Sequence, residues 1–554
     1  MKLINPDLVS TTGSVTRTGT ASYYDSSGLL KTTTSGGLRF GYNPSTLEFV
    51  GLIVEGSSTN LFWYSQSFEN NTAWTKTGLN TISTNSGADP RGTATAQKIV
   101  PNTSSTQKLL RQPISFSASS GETYSLSIYA KADGYNWIRL AFSGADSSYA
   151  FFDLSTGLVG TTSGVTKAVV EKLPNGYYRL CIAKTVTASG TLNGDFYIQS
   201  TDNQTSDWSG DGTKAVILYG AQAELQPLMT SYIPAITDST VTRAAEIITG
   251  SGVVYTDLTN SYAEWASGTT YSIGQIVSVG TYNGSNTVAI SDTTTGTYKS
   301  LTNSNTNNNP LTSPSNWVRI GPTNQFAMFD TVISSQSQAT NEFTICIKAG
   351  SLDSIAVLNA LGASVSVAVS DADKSNQFLG NVLFNNTRYL TGGQSQDWYS
   401  YFFYDPDTQL TQAVYLDITA ANNNIITVRV KGTGTVKAGI LVEGNLKEIG
   451  STQYGVTAGI IDYSKKETDE FGNTRITIRN YSKRMNAKVH LTNPNVNRVQ
   501  RLLYNIRSSP VLWIGSEVTE FEEPLVVYGY YKSFDTEIAY PTHSLCNLEI
   551  EGLI

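Results

Sequence analysis

The chain has 554 residues, a net charge of −7 and only 15% charged residues, so it exceeds a single hydrophobic core and lacks the basic excess of a dedicated nucleic-acid binder. Tyr reaches 31 and aromatics 10%, which excludes a disordered composition and, with abundant Thr and Val, favours extended structure. Cys181, Cys346 and Cys546 lie too far apart for a zinc motif or a dense disulfide framework and are expected as buried free thiols.

Residues 1–50 are polar and rich in Gly, Ser and Thr, with short strand-like pieces at Ala21–Tyr24 and Leu38–Tyr42. They are expected to form an arm that pairs with a neighbouring domain or subunit. Residues 51–245 read as many short strands: Tyr124–Ala130 and Trp137–Phe142 alternate, Phe151–Gly157 ends in a turn, Asn175-Gly176 signals a hairpin, and Ala215–Gly220 is apolar enough to be buried. Short strands at near-regular spacing predict a sandwich of jelly-roll type. A linker is expected at 246–258. A small β module follows over 259–322, with Trp265, Tyr271, Tyr298 and Trp317 supplying much of its core. Residues 325–450 predict a second sandwich, with strands at Phe343–Ile347, Ala363–Val369, Trp398–Phe403 and Ile425–Val430. Charge rises over 451–554, where Val496, Val499, Leu502, Leu503 and Ile506 make the apolar stripe of a helix over Asn493–Ser508, capped by Asn493 with Pro494 in its first turn. The expected class is mainly β: tandem jelly-roll-like sandwiches, a small β module and a C-terminal α+β domain.

Signals for catalysis are absent. His490 and His543 are the only histidines, and no nucleophile elbow, phosphate loop or dinucleotide fingerprint occurs. No enzyme activity and no cofactor are expected. Asp207 and Asp211, with Asp202 nearby, are the candidates for a calcium site, since such loops offer carboxylate oxygens; the competing reading is a solvated turn with Asp211-Gly212 at its corner. Asp371-Ala372-Asp373 is a fainter acidic candidate. The basic residues of the last region, among them Lys483, Arg484, Arg498 and Arg501, are interleaved with Glu467, Asp469, Glu470, Glu520, Glu522 and Glu523; they read as solvated surface or as a docking face for a protein.

Aromatics offer the better constellation. A flat ring stacks on the C–H face of a sugar while Asn, Asp or Gln side chains take its hydroxyls. The candidates are Trp74 and Trp208, with Trp63 and Trp137, in the first sandwich, and Trp265, Tyr271, Tyr298 and Trp317 in the small module; core packing is the alternative for each. The small module is expected to leave at least one aromatic exposed.

The stretch Gly51–Gly78 resembles a carbohydrate-binding-type sandwich of tail fibres, tailspikes and head fibres of tailed bacteriophages. The resembling residues are Leu52-Ile53-Val54-Glu55, Thr59-Asn60-Leu61, Ser65–Phe68 and Ala73–Lys76, followed by Trp208–Gly212, Tyr219–Glu224, Thr230–Pro234 and Val241–Ala245. Residues 259–322 look like a compact chitin-binding-type module, through Trp265, Tyr271, Gly274, Val277, Tyr298, Pro310 and Trp317; they depart from it in that Leu301-Thr302 stands near the position where that family places paired exposed tryptophans. Residues 325–554 are similar to a phage virion family, through Phe326–Asp330, Asp397–Tyr399, Asp462–Thr468, Tyr481–Met485, Trp513–Gly515, Tyr528–Lys532 and Leu548–Leu553.

These resemblances imply a structural protein of the virion tail, tail tip or fibre that attaches to a host-surface glycan, docks on other tail or baseplate proteins and assembles as a homo-oligomer, a trimer being favoured. A purely structural decoration protein is the alternative, and a tailspike-like depolymerase a third reading. No apolar run approaches the roughly 18 residues of a membrane span. The segment MKLINPDLVSTTG has no apolar core of a signal peptide, which fits synthesis in a bacterial host cytoplasm and release by lysis.

Overall fold

The computed structural model describes residues 1–6, 9–348, 350–371, 382–390, 410–421, 424–468, 470–518, 521–538 and 540–553, with backbone only at 114–117. The expected strand Trp398–Phe403, the residues Ala372, Asp373, Asp397, Asp469 and Glu520, and Tyr399 lie outside the described residues. The fold is mainly β with a C-terminal α+β region, as the sequence predicts. Two compact units divide the chain: residues 15–248 with 370–385, and residues 1–14, 249–369 and 386–554.

In the first unit two antiparallel sheets stack. One has six strands in the order Leu158–Ser163, Ser148–Asp153, Trp137–Gly144, Gly190–Gln199, Leu109–Ala118, Thr75–Thr77. The other has five, in the order Lys167–Lys172, Tyr178–Thr185, Thr123–Asp133, Ala215–Glu224, Gln97–Ile99. Alternate residues of both sheets meet between them: Leu110, Ile138, Leu140, Phe142, Phe152, Phe196 and Ile198 face Leu126, Ile128, Leu180, Ile182, Val216 and Leu218. Trp74 caps this core at 1% exposure, with Phe62, Phe68 and Phe196 against it and its indole N–H donating to the Tyr64 carbonyl at 3.0 Å. The Asn175-Gly176 signal holds: Gly176, at φ +83°, turns the chain between the paired strands Lys167–Lys172 and Tyr178–Thr185.

The outer face of the five-stranded sheet is sealed. Tyr129, Tyr177 and Tyr219 project from it and pack with Tyr24, Leu30, Ile53 and Tyr232 from segments before and after the sandwich. Beside them lies a buried ion cluster. Arg39 reaches Glu55 and Glu246, each at 2.7 Å, Arg243 approaches the same two carboxylates at 3.4 and 3.6 Å, and Arg17 reaches Glu246 at 3.1 Å. Ser231 donates its N–H and Oγ–H to Glu55 at 2.8 and 2.6 Å. Burial pushes the Glu55 carboxyl up, but Arg243, Arg39 and Ser231 outweigh it and hold it down at about 2. Glu55, Ser231 and Arg243 are among the residues that carry the resemblance. These three residues are therefore the joinery of the fold.

In the second unit the small module has a two-stranded sheet (Thr270–Tyr271 with Asn305–Thr306) and a three-stranded one (Ile276–Val279, Gly296–Ser300, Trp317–Gly321). A ten-stranded sheet draws strands from both sides of position 450: its path runs Gln412–Tyr415, Ser354–Leu358, Ile440–Glu448, Lys2–Pro6, Val511–Ile514, Val526–Glu537, His543–Gly552, Tyr481–Thr492, Ser451–Thr452, with Thr457–Asp462 also on Tyr481–Thr492. Lys2–Pro6 thus sits mid-sheet. The stretch expected as a linker contains a strand, Gly252–Thr256, paired with Ser337–Lys348.

The expected helix is present but shorter. Asn493–Asn495 forms a 3₁₀ turn and the α-helix runs Val496–Asn505, burying Val499 and Leu503 on the sheet. Asn493 does not cap it; its amide donates to the Tyr540 and Pro541 carbonyls and accepts from Ser544, tying the turn to a neighbouring loop. All three cysteines are free and buried, and burial pushes the Cys181 and Cys346 thiols up to about 12. No helix among the described residues is long and apolar enough to cross a membrane.

Candidate functional site

The structure brings Trp265, Tyr271, Tyr298 and Trp317 together as the core of the small module. Tyr271, Tyr298 and Trp317 are 8%, 6% and 2% exposed, so their rings are spent on one another rather than on a surface. Tyr271 and Trp317 meet edge to face at 5.2 Å, and the Trp317 indole donates to the Asn308 carbonyl at 2.9 Å. Trp265 is half-buried, and the exposed aromatic of the module is Tyr262. Leu301 is exposed.

At one end of the sandwich Trp208 is half-buried, edge-on to Tyr135 at 5.2 Å, with the Lys108 ammonium 5.7 Å from its ring. Asp211 accepts the Thr213 and Lys214 N–H groups, both at 2.8 Å, which is the solvated-turn geometry. Asp202 accepts from Thr161 on a neighbouring strand. Asp207 is exposed, and no group of three metal-ligating side chains forms among the described residues.

The richest constellation lies on the outer face of the six-stranded sheet. Because side chains alternate, every second residue of the strands that feed the core points the other way. Antiparallel pairing then sets Trp137 opposite Gln199, Arg139 opposite Tyr197, Ala141 opposite Asp195 and Ser143 opposite Asn193. On the flanking strands Phe151 stands beside Arg139 and Tyr149 beside Ala141, while Leu109 stands beside Tyr197 and Arg111 beside Asp195. Leu109, Ala141, Tyr197 and Tyr149 form a cluster apart from the sandwich core and built wholly from this sheet's own strands.

Two charge systems share this face. Arg111 grips Asp195 in a fork, Nε and Nη2 each at 2.6 Å from one carboxylate oxygen. Ser143 and Tyr197 also donate to that carboxylate, at 2.8 and 3.1 Å, so Asp195 is saturated. The Arg139 guanidinium instead lies on the Tyr197 ring, 3.8 Å from its centroid, with Phe151 and Tyr149 at 5.7 and 5.6 Å. Burial pulls Arg139 below the usual arginine value, against Tyr197 and Asp195. Its Nε and the Gln199 Oε1 are enclosed without hydrogen-bond partners. Trp137, Tyr149 and Arg111 remain part-exposed along the face.

Of this set only Trp137 is singled out by sequence. The signal for the rest lies in the off-core parity of Trp137-Ile138-Arg139-Leu140-Ala141-Phe142 and of Asn193-Gly194-Asp195-Phe196-Tyr197-Ile198-Gln199, where aromatic and polar residues occupy the positions that a plain solvated face would fill with Thr, Ser or Lys.

No protein-family model and no curated protein matches this chain. Matching solved structures include the enzymatically active domain of tailspike protein 4 from bacteriophage CBA120, at 14% identity over 30% of this chain and 21% of that one, TM-score 0.19. Another is the CBM22-1–GH10 modules of a Clostridium thermocellum xylanase bound to xylohexaose, at 14% identity over 30% and 27%, TM-score 0.18. A third is a fucolectin from striped bass (Morone saxatilis) serum, at 9% identity over 69% and 97%, TM-score 0.15. The chain spans only 21% and 27% of the length of the first two, and at these TM-scores the likenesses carry no argument about what the protein does.

Proposed function

We propose that the protein is a non-enzymatic structural component of a tailed-phage virion that holds a host-surface glycan on the outer face of its six-stranded sheet. The observation that carries the reading is the part-exposed set Trp137, Tyr149 and Arg111 on one sheet face, supported from beneath by the buried Tyr197, Asp195 and Gln199. Such a surface supplies stacking for the apolar side of a sugar and partners for its hydroxyls. The sequence resemblance over Gly51–Gly78 and residues 208–245 supports the virion assignment. Docking on tail or baseplate proteins, trimeric assembly and synthesis in the host cytoplasm belong to the same reading. A single site of this kind would hold glycan at about millimolar strength, and linked copies would raise avidity by roughly 10²–10⁴-fold.

The test is a particle carrying Trp137→Ala with Tyr149→Ala. The reading expects intact assembly and reduced adsorption to host cells; unchanged adsorption contradicts it. A purely structural role is the second reading, favoured by the small module, whose Tyr271, Tyr298 and Trp317 are core residues. Release of reducing ends from host polysaccharide by the purified protein would overturn the non-enzymatic assignment.

A further inference from the structure

We infer that the glycan held on this face is acidic, and that Arg139 receives its anionic substituent. The inference rests on the binding surface proposed above and adds the chemical class of its ligand.

Arg139 is 7% exposed, yet no carboxylate lies within ion-pairing distance of it among the described residues. The nearest acid on the face, Asp195, has both oxygens engaged: Oδ1 by Arg111, and Oδ2 by Arg111, Ser143 and Tyr197. Arg111 and Asp195 therefore neutralise each other, and the other acid of the face, Asp153 opposite Trp137, is held by Ser155 and Thr156, so Arg139 has no carboxylate of its own. A buried, uncompensated cation is costly to keep unless something else pairs with it. The contrast with the ion cluster at Glu55 is direct, since there each arginine has a carboxylate within 3.6 Å.

The ring contacts fix what Arg139 has to offer. The guanidinium carbon lies 3.8 Å from the centre of the Tyr197 ring, and of its nitrogens Nε alone is enclosed without a partner, which leaves the outer Nη edge. That edge matches a planar carboxylate or a phosphate bidentately. The Nε and the Gln199 Oε1, two residues along from Tyr197, are enclosed and without partners, so they lie beneath the surface that a ligand touches. A sugar whose carboxylate meets the outer nitrogens of Arg139, with its ring against the part-exposed Tyr149 or Trp137, pairs the cation and uses those rings together. A phosphate-substituted sugar satisfies the same cation.

The experiment uses the full chain and three immobilised polymers: polygalacturonate, the same polymer after reduction of its carboxyl groups, and a glycerol-phosphate polymer substituted with sugar. The expected result is at least tenfold tighter binding of an acidic polymer than of the carboxyl-reduced one. Arg139→Gln should erase that difference while Arg139→Lys keeps part of it, with thermal midpoints checking that both variants fold. Preference between polygalacturonate and the phosphate polymer assigns the anion. Equal binding of acidic and reduced polymers, lowered in both by Tyr149→Ala, overturns the acidic assignment and leaves the surface standing. Binding that neither Tyr149→Ala nor Arg139→Gln alters, or no binding of any polymer, overturns both.

Discussion

Each outer face of the sandwich lays an arginine on a tyrosine ring, and the two arginines differ in what surrounds them. Arg179, 1% exposed, lies 5.3 Å from the Tyr129 centroid and donates to the Thr230 carbonyl at 2.8 Å. Chain from outside the sheet, including Tyr24, Ile53 and Tyr232, closes over that face. Arg139 lies closer to its ring, but the cluster around it comes from its own sheet. The same pairing of residue types is thus covered by other chain on one face and enclosed by side chains of its own sheet on the other. A residue inventory alone does not separate the two cases; the covering segments do.

The largest expected effects fall on the sealed side. Glu55→Gln leaves Arg39 and Arg243 short of a buried anion and is expected to cost about 3–5 kcal/mol, read by urea unfolding of the residue 15–248 unit within the full chain. Glycan binding by the folded fraction should not change. A loss under 1 kcal/mol would mean that the cluster does not hold the sealed face.

Trp74→Ala belongs to the same class, with about 3–5 kcal/mol expected from the emptied core and no specific effect on affinity. An intact, stable variant that no longer binds glycan would return Trp74 to the list of contact residues.

Acid should act on the sealed face too. Glu55 is held at about 2 in the folded protein, below the roughly 4.3 of an unfolded glutamate. Its contribution is therefore full above about pH 4.3 and is lost as pH falls toward 2, by about 3 kcal/mol in all. Thermal midpoints from pH 6 down to pH 2.5 check this, and Glu55→Gln should flatten that part of the profile. An unchanged slope in the variant would assign the acid sensitivity elsewhere.

On the other face the stability effects should be smallest and the binding effects largest. Tyr149 is half-buried, so Tyr149→Ala is expected to cost about 1 kcal/mol or less in stability while weakening glycan binding about tenfold, measured by calorimetry. A stability loss comparable to that of Trp74→Ala would make this face another piece of framework.

Much of the architecture was legible from local pattern. Tyr124–Ala130, Trp137–Phe142 and Ala215–Gly220 announced their strands because alternation and β-branched or aromatic content act within a few residues. The helix was legible from Val496, Val499, Leu502 and Leu503 for the same reason, and it begins later than expected because Asn493 bonds a distant loop instead of its own helix. Pairing across long separations was not legible. Lys2–Pro6 looks like part of a loose arm until Ile440–Glu448 and Val511–Ile514 flank it. The surface around Arg139 was hidden likewise: alternation divides a strand into two faces without saying which one the core takes, and Arg139, Tyr197 and Arg111 meet only through register. The aromatics of the small module illustrate the converse, since composition marked them and packing among few aliphatics consumed them.

The most direct test of the central claim is a protection footprint of the full chain with and without host-surface polysaccharide, read by carbene labelling. The account predicts protection confined to Leu109–Arg111, Trp137–Ser143, Tyr149–Phe151 and Asn193–Gln199. Protection centred on residues 262–320 instead, with the sandwich strands unaffected, would contradict it.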